Sequence, residues 1–307
     1  MQITSDMVRE LREKTGAGMM DCKKALVESG GNLEAAVDIL RTKGLAAAAK
    51  KASRIASEGI VAAHVGTDSA ALLEINCETD FVAKTGEFQA FAQTVAAFVN
   101  RAAPAGVEEA MALPLEGGGT LADAVTAQVA KIGEKISLRR FVRFSLPAGG
   151  QGIHVPYIHA GGKIGVLVEL VGMGPDTPGI AALAKDLAMQ VAAANPSHVT
   201  REEVPAEAIG RELSIYREQA LAAGKPEKIL DKIATGKLEK FFGDACLVEQ
   251  AFIRDPDRKV RDLLREAGTQ AGGELRVSRF ARFQVGEGLE KRTDDLAAEV
   301  AKQLGQG

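Results

Sequence analysis

The chain has 307 residues and a mass of 32.2 kDa, enough for two or more compact units of roughly 100–200 residues each. With 46% apolar residues but only 4% aromatic and no Trp, its core must be built from Ala, Leu, Val and Ile. A net charge of −3 lacks the basic excess with which general nucleic-acid binders neutralise phosphates, and no window reaches the ~18 consecutive apolar residues of a membrane span.

Residues 4–44 read as three short helices. Ser5 is placed to cap the first, which carries Met7, Val8 and Leu11 on one face. "TGAG" breaks it, "MMDCKKALVES" forms the second, and Asn32 caps the third, where Leu33, Ala36, Val37 and Leu40 fall at helical spacing until Gly44 ends it. So few large apolar side chains make a small bundle that needs a neighbour. "AAAAKKASR" follows as a helical, basic linker. A strand ("GIVAAHV"), a turn ("GTDS") and a strand ("AALLEIN") come next, then a helix from about Gly86 to Ala103, a glycine-rich loop, a helix near 121–134 and the strand "SLRRFVRFSL".

The chain then repeats itself. His64-Val65-Gly66 before "TDSAALLEI" aligns with His159-Ala160-Gly161 before "GKIGVLVEL" at an offset of 95, which places Leu72 on Leu167, Glu74 on Glu169 and Ile75 on Leu170. Beyond the second copy, a charged helix, a "GKP" turn and a second helix predict an antiparallel helical hairpin. The tail adds the helix "RKVRDLLREAG", the strand "ELRVSRFARFQVG" and an amphipathic helix, "TDDLAAEVAKQL".

Enzyme chemistry finds no support in these motifs. GxxxxGK[ST], HExxH and GxSxG are all missing. "GMGPDT" follows a strand, but Thr177 stands where a dinucleotide fingerprint needs its third glycine and Pro175 interrupts it. Cys22, Cys77 and Cys246, odd in number and far apart, fit neither a disulfide framework nor a zinc site. The four histidines lie apart, although His154 and His159 flank a strand near a surface. "LRRFVRF" and "RVSRFARFQV" alternate Arg with Phe like a nucleic-acid platform, but strand alternation accounts for them, with Phe141 and Phe144 partly inward and the arginines in water.

One stretch resists a structural explanation. "NCETDFVAK" (Asn76–Lys84) sets an aromatic ring at the tip of an acidic loop, whereas the second copy leaves its strand through "VGMGPDTPG". A shared fold therefore does not require this loop. Phe81 either folds back over the helix carrying Phe88 and Phe91 or is presented as an anchor for a partner.

"EINCETDFVAK" and "LREKTGAGMMDCKKAL" resemble the two signatures of the elongation factor Ts family. "YIHAGGKIGVLVEL", "AGKPEKI" and "FQVGEGLEK" are similar to its later segments, with Ala223 where many members carry Ser. The resemblance implies an α+β fold: an N-terminal three-helix module of ubiquitin-associated type with its linker (1–54), and two related α+β core subdomains. The first subdomain would span 55–150. The second would span 151–199 and resume, with a C-terminal module, over 244–307, interrupted by an inserted antiparallel helical hairpin (200–243). It further implies a cytoplasmic, non-catalytic guanine-nucleotide exchange factor acting on elongation factor Tu, with no cofactor, no metal of its own, no membrane and no direct nucleic acid. Thr79, Asp80, Phe81 and Val82 would enter the partner's GTPase domain and dislodge its Mg²⁺. Arg12, Met19 and Met20 would make a second contact there, and His154, Gly161 and Lys163 would face another partner domain. Whether two copies pair as a homodimer stays open, and an RNA- or protein-binding adaptor without exchange activity is the alternative.

Overall fold

The computed structural model describes residues 3–15 and 17–290; the expected terminal helix "TDDLAAEVAKQL" lies outside them. Helices α1 (Ser5–Thr15), α2 (Met19–Glu28) and α3 (Leu33–Lys51) come first. Thr4, not Ser5, caps α1, its hydroxyl accepting from the Met7 N–H at 3.3 Å, while Asn32 caps α3 as expected. The bundle core is small, comprising Val8, Leu11, Cys22, Ala25, Leu26 and Ala36. Gly44 does not end α3. The run Ala46–Ala49 has the highest intrinsic helix propensity and carries the helix through the expected linker to Lys51.

The first subdomain follows: β1 (Glu58–Val65), β2 (Ser69–Cys77), α4 (Asp80–Ala83), α5 (Gly86–Ala102), α6 (Val107–Ala112), α7 (Leu121–Ile132) and β3 (Ser137–Ser145). Helix α3 packs on α7 at Gly44, where an added Cβ would make ordinary contact 3.6 Å from the Ala130 methyl, and Arg41 adds a 2.7 Å ion pair to Asp123. The bundle thus gains the neighbour that its thin core needs.

The second subdomain opens with β4 (Gly152–His159), β5 (Ile164–Val171) and α8 (Ile180–Ala194). The hairpin helices α9 (Ala206–Ala222) and α10 (Leu230–Ala245) interrupt it, and it resumes with β6 (Ala251–Phe252), β7 (Asp255–Lys259), α11 (Val260–Ala271) and β8 (Arg276–Gln284). At the hairpin's base the Arg201 guanidinium covers the Phe242 ring at 4.7 Å and bonds Glu249 at 3.0 Å.

Two antiparallel three-stranded sheets, ordered β1-β2-β3 and β4-β5-β8, form the centre. Period-two alternation sorts their side chains. Ala71, Leu73 and Ile75 face α5 and α7, and Val166, Val168 and Leu170 face α8 and α11. The opposite faces meet each other through Val61, Ala70, Leu72, Phe144, Leu167 and Phe283. The result is four layers: helices, sheet, sheet, helices.

The internal repeat runs further than its first segment. The strand pairing of β2 with β3 and that of β5 with β8 each carry a bulge, at Glu74/Ile75 and at Glu169/Leu170. Helices α7 and α11 are both 12 residues long and end on left-handed glycines, Gly133 and Gly272. Phe144 therefore corresponds to Phe283, and Arg140 to Arg279, at an offset of 139. The hairpin lies between the two stretches, so the offset jumps from 95 and the likeness of the two Arg–Phe strands escapes a constant-offset search.

Those arginines are not simply in water. Arg140 donates to Glu74 at 2.7 Å, covers the Phe283 ring at 4.4 Å and reaches the Gln284 carbonyl at 3.1 Å. Arg279 donates to Glu169 at 2.8 and 3.0 Å, covers Phe144 at 4.4 Å and reaches the Ser145 carbonyl at 3.1 Å. Each arginine thus binds a carboxylate of its own sheet and clasps the other sheet. His154 is a correction to the sequence reading: it lies buried against Glu169, Nε2 to Oε2 2.8 Å.

Burial alone would raise the Glu74 carboxyl, but donors from the Gly286 N–H, Asn76, Arg140 and Arg139 hold it below its ordinary value of 4.5. Arg279, His154 and Ser278 likewise outweigh burial at Glu169. A carboxyl depressed in the folded state stabilises most above its unfolded value, and that stability is lost as pH falls through the folded value. Urea midpoints should therefore decline steadily below pH 4.5. Glu74→Gln should cost about 2 kcal/mol at pH 7 and flatten that decline.

Candidate functional site

Strand β2 ends inside the first subdomain's core, and the loop that leaves it is tied down atom by atom. Burial, reinforced by the nearby Glu134 carboxylate, pushes the Cys77 thiol up to about 12. It therefore remains protonated and donates to the Thr79 carbonyl at 3.1 Å. Thr79 is extended and caps α4, its hydroxyl accepting from the Val82 N–H at 3.3 Å. Thr85 caps α5 and also donates to the Val82 carbonyl at 2.8 Å. A single helical turn is thus capped at its start and pinned at its end.

Within that turn the side chains divide. Ala83 is buried and Val82 packs against the helix-side core. Phe81 points the other way and is 79% exposed, so it does not fold back over Phe88, which is fully buried beneath. Asp80 bonds Lys84 at 2.5 Å, and this contact, together with the charges of Lys84 and Lys163, holds its carboxyl below the usual range. The tip is therefore one bare aromatic ring beside a carboxylate that stays ionised at neutral pH.

The second subdomain approaches the same end. After β4 the chain turns through Ala160–Gly162. Gly162 has φ +96°, and a Cβ there would come within 2.9 Å of the Ile60 side chain on β1, so the turn can seat on β1 only with glycine. Gly161 is exposed, and Lys163 pairs with Glu58 while its charge acts on Asp80. Met19 and Met20, 59% and 64% exposed, and Arg12 belong to the three-helix bundle. His154, buried, is not placed to touch a partner.

Sequence reasoning missed Glu78, Glu134, Lys135 and Arg54. The Glu134 carboxylate accepts from the backbone N–H groups of Glu78 and Thr79, both at 3.0 Å, and from the Thr79 hydroxyl at 2.6 Å. Glu78 accepts from the Lys135 N–H at 2.7 Å and from Arg54 at 3.2 Å. No motif marks Glu134, a lone acidic residue between a helix and a strand.

A cleft of about 800 Å³ lies elsewhere, between the bundle and α7, lined by residues such as Val37, Leu40, Ala47 and Ala127. None of the loop residues lines it. Among the described residues, no group of three or more His, Cys, Asp or Glu is placed to hold a metal, and no helix is long and apolar enough to cross a membrane.

The family model "Elongation factor TS" matches residues 78–287. Elongation factor Ts of Syntrophotalea carbinolica is 53% identical over 302 residues, 98% of this chain and 99% of its own length. Those of Trichlorobacter lovleyi and Clostridium botulinum (strain Alaska E43) are 48% and 46% identical over 99% of this chain, covering 99% and 100% of theirs. The chain belongs to the elongation factor Ts family. The family match opens at Glu78, where the chain enters the loop, and the full-length relatives carry the likeness across the three-helix bundle as well.

The two faces of α4 separate stability from display. Phe81→Ala should change unfolding free energy by no more than about 0.5 kcal/mol, since the ring touches little. Thr79→Ala removes a cap and a donor to Glu134 and should cost about 1–2 kcal/mol. Denaturant unfolding of the two variants checks the contrast.

Proposed function

We propose that this chain is a non-catalytic guanine-nucleotide exchange factor that binds elongation factor Tu carrying GDP and promotes GDP release by disturbing the partner's Mg²⁺ and phosphate site. The observation that carries this reading is Phe81: one exposed ring, on a doubly capped turn, in a chain of the elongation factor Ts family. Thr79 and Val82 hold the turn, Phe81 wedges into the GTPase domain, and Asp80 brings an ionised carboxylate to the cation's surroundings.

The physics requires no reacting group. Mg²⁺ demands near-ideal octahedral geometry, so a small displacement of its ligands weakens its hold and unmasks repulsion between the phosphates and nearby acidic groups. The factor then favours one partner conformation and the nucleotide another, a reciprocal coupling of typically 1–3 kcal/mol. Burying one Phe side chain yields about 1.5–3 kcal/mol, so a single well-held ring is of the right size to shift that balance. No bond is made or broken in a substrate. Arg12, Met19 and Met20 supply a second contact on the GTPase domain, and Gly161 and Lys163 face another domain of the partner. The site of action is the cytoplasm.

Release of a fluorescent GDP analogue from elongation factor Tu tests this. The native chain should accelerate release strongly, and Phe81→Ala should bind but lower the maximal rate by roughly 10- to 100-fold. Paired Met19→Ala and Met20→Ala changes should instead raise the factor concentration needed for half-maximal rate. No acceleration by the native chain would remove the exchange-factor reading. Equal acceleration by Phe81→Ala would move the mechanism away from the wedge.

A further inference from the structure

The internal repeat provides its own control for the loop. By the correspondences of the two subdomains, Glu78 matches Met173, Thr79 matches Gly174, Glu134 matches Gly273 and Lys135 matches Glu274. In the second subdomain this junction closes by apolar packing and close backbone approach. Met173 is buried, and its methyl would lie 3.2 Å from a Cβ on Gly273. Gly172, at φ +107°, brings its backbone so near the Glu274 carbonyl that a Cβ would overlap it at 1.9 Å. In the first subdomain two carboxylates close the same junction. The four-layer fold is therefore compatible with either closure, and Glu78 and Glu134, with Met173 and Gly273 as their counterparts, stand only where the loop carries Phe81.

The geometry points to Glu134 as a positioning residue for Phe81, acting through its three hydrogen bonds to Glu78 and Thr79; the inference rests on the exchange-factor reading above. Helix α4 has four residues, far below the length at which a helix holds itself, so its direction depends on what fixes its ends. Glu134 fixes the start. One carboxylate oxygen takes both N–H groups at 3.0 Å and the other takes the Thr79 hydroxyl at 2.6 Å. That leaves the hydroxyl's lone pairs free to cap Val82. Glu78 answers from the other side, accepting from the Lys135 N–H, while the Lys135 ammonium donates to the Arg54 carbonyl at 3.0 Å. Arg54 follows α3 and itself binds Glu78, so the loop is also tied to the segment leading from the bundle.

The test uses the full chain with Glu134→Ala and Glu134→Gln. Gln keeps the shape: its carbonyl can accept both N–H groups and its NH₂ can donate to the Thr79 hydroxyl. With elongation factor Tu, Glu134→Ala should lower the maximal rate of GDP release roughly tenfold while changing the half-maximal concentration by less than about twofold, and Glu134→Gln should keep most of the native rate. Amide hydrogen exchange in the free chain supplies a second readout, with protection at Glu78 and Thr79 lost in the Ala variant and kept in the Gln variant. A native maximal rate in Glu134→Ala would overturn the assignment, and equal losses in both variants would replace hydrogen bonding by charge. If the native chain does not accelerate release at all, the exchange reading falls, and the amide protections alone decide whether Glu134 orders the loop.

Discussion

The loop that bears Phe81 hangs on two sheets packed face to face. Their apolar contact is modest, six buried side chains with partly buried ones around them. Its borders are held by a reciprocal arrangement in which each sheet's buried glutamate anchors an arginine that lies over the other sheet's phenylalanine and bonds its backbone. Breaking either half would leave a buried carboxylate or a part-buried guanidinium without its partner, a larger cost than the pair's net gain. Glu74 sits three residues before the end of β2, so the clamp that aligns the sheets also fixes the direction in which the loop departs.

The loop then converts a rigid strand into a rigid display. A threonine cap, a thiol donor, a carboxylate from the α7–β3 connection and a second threonine at the next helix leave the turn little freedom. On the proposed exchange function, pre-organisation of this kind matters, because a wedge that yields on contact transmits nothing. The exposed ring costs little in the free chain, since an isolated surface apolar group is ordinary.

Duplication lets one half of the molecule diverge while the other preserves the architecture. Glycines at Gly172 and Gly273 let backbone and Met173 close the second junction directly. The first spends acidic side chains at the same place and gains a shaped loop. The helical hairpin enters the second half between α8 and α11, far from that junction in sequence, and is fastened by Arg201, Phe242 and Glu249.

Much of this was legible in the residues alone. Period-two and helical spacing revealed the elements, the offset of 95 revealed the doubling, and "ETDFVAK" stood out because its counterpart lacked it. Local chemistry sufficed there because alternation, caps and glycine breaks act over a few residues. Gly44 misled, since whether a glycine ends a helix depends on the residues after it. The arginines of the two Arg–Phe strands looked solvated, and His154 looked superficial, because no local pattern shows that a second sheet covers that face. Glu134 was invisible for the same reason: its partners lie 55 and 56 residues away. Residue order thus dictates which segments are helix or strand, that the core is doubled and which loop is peculiar. Which charges are buried together, and which carboxylate holds the loop, is settled only in the folded molecule, because burial and pairing arise between segments that are distant along the chain until it folds.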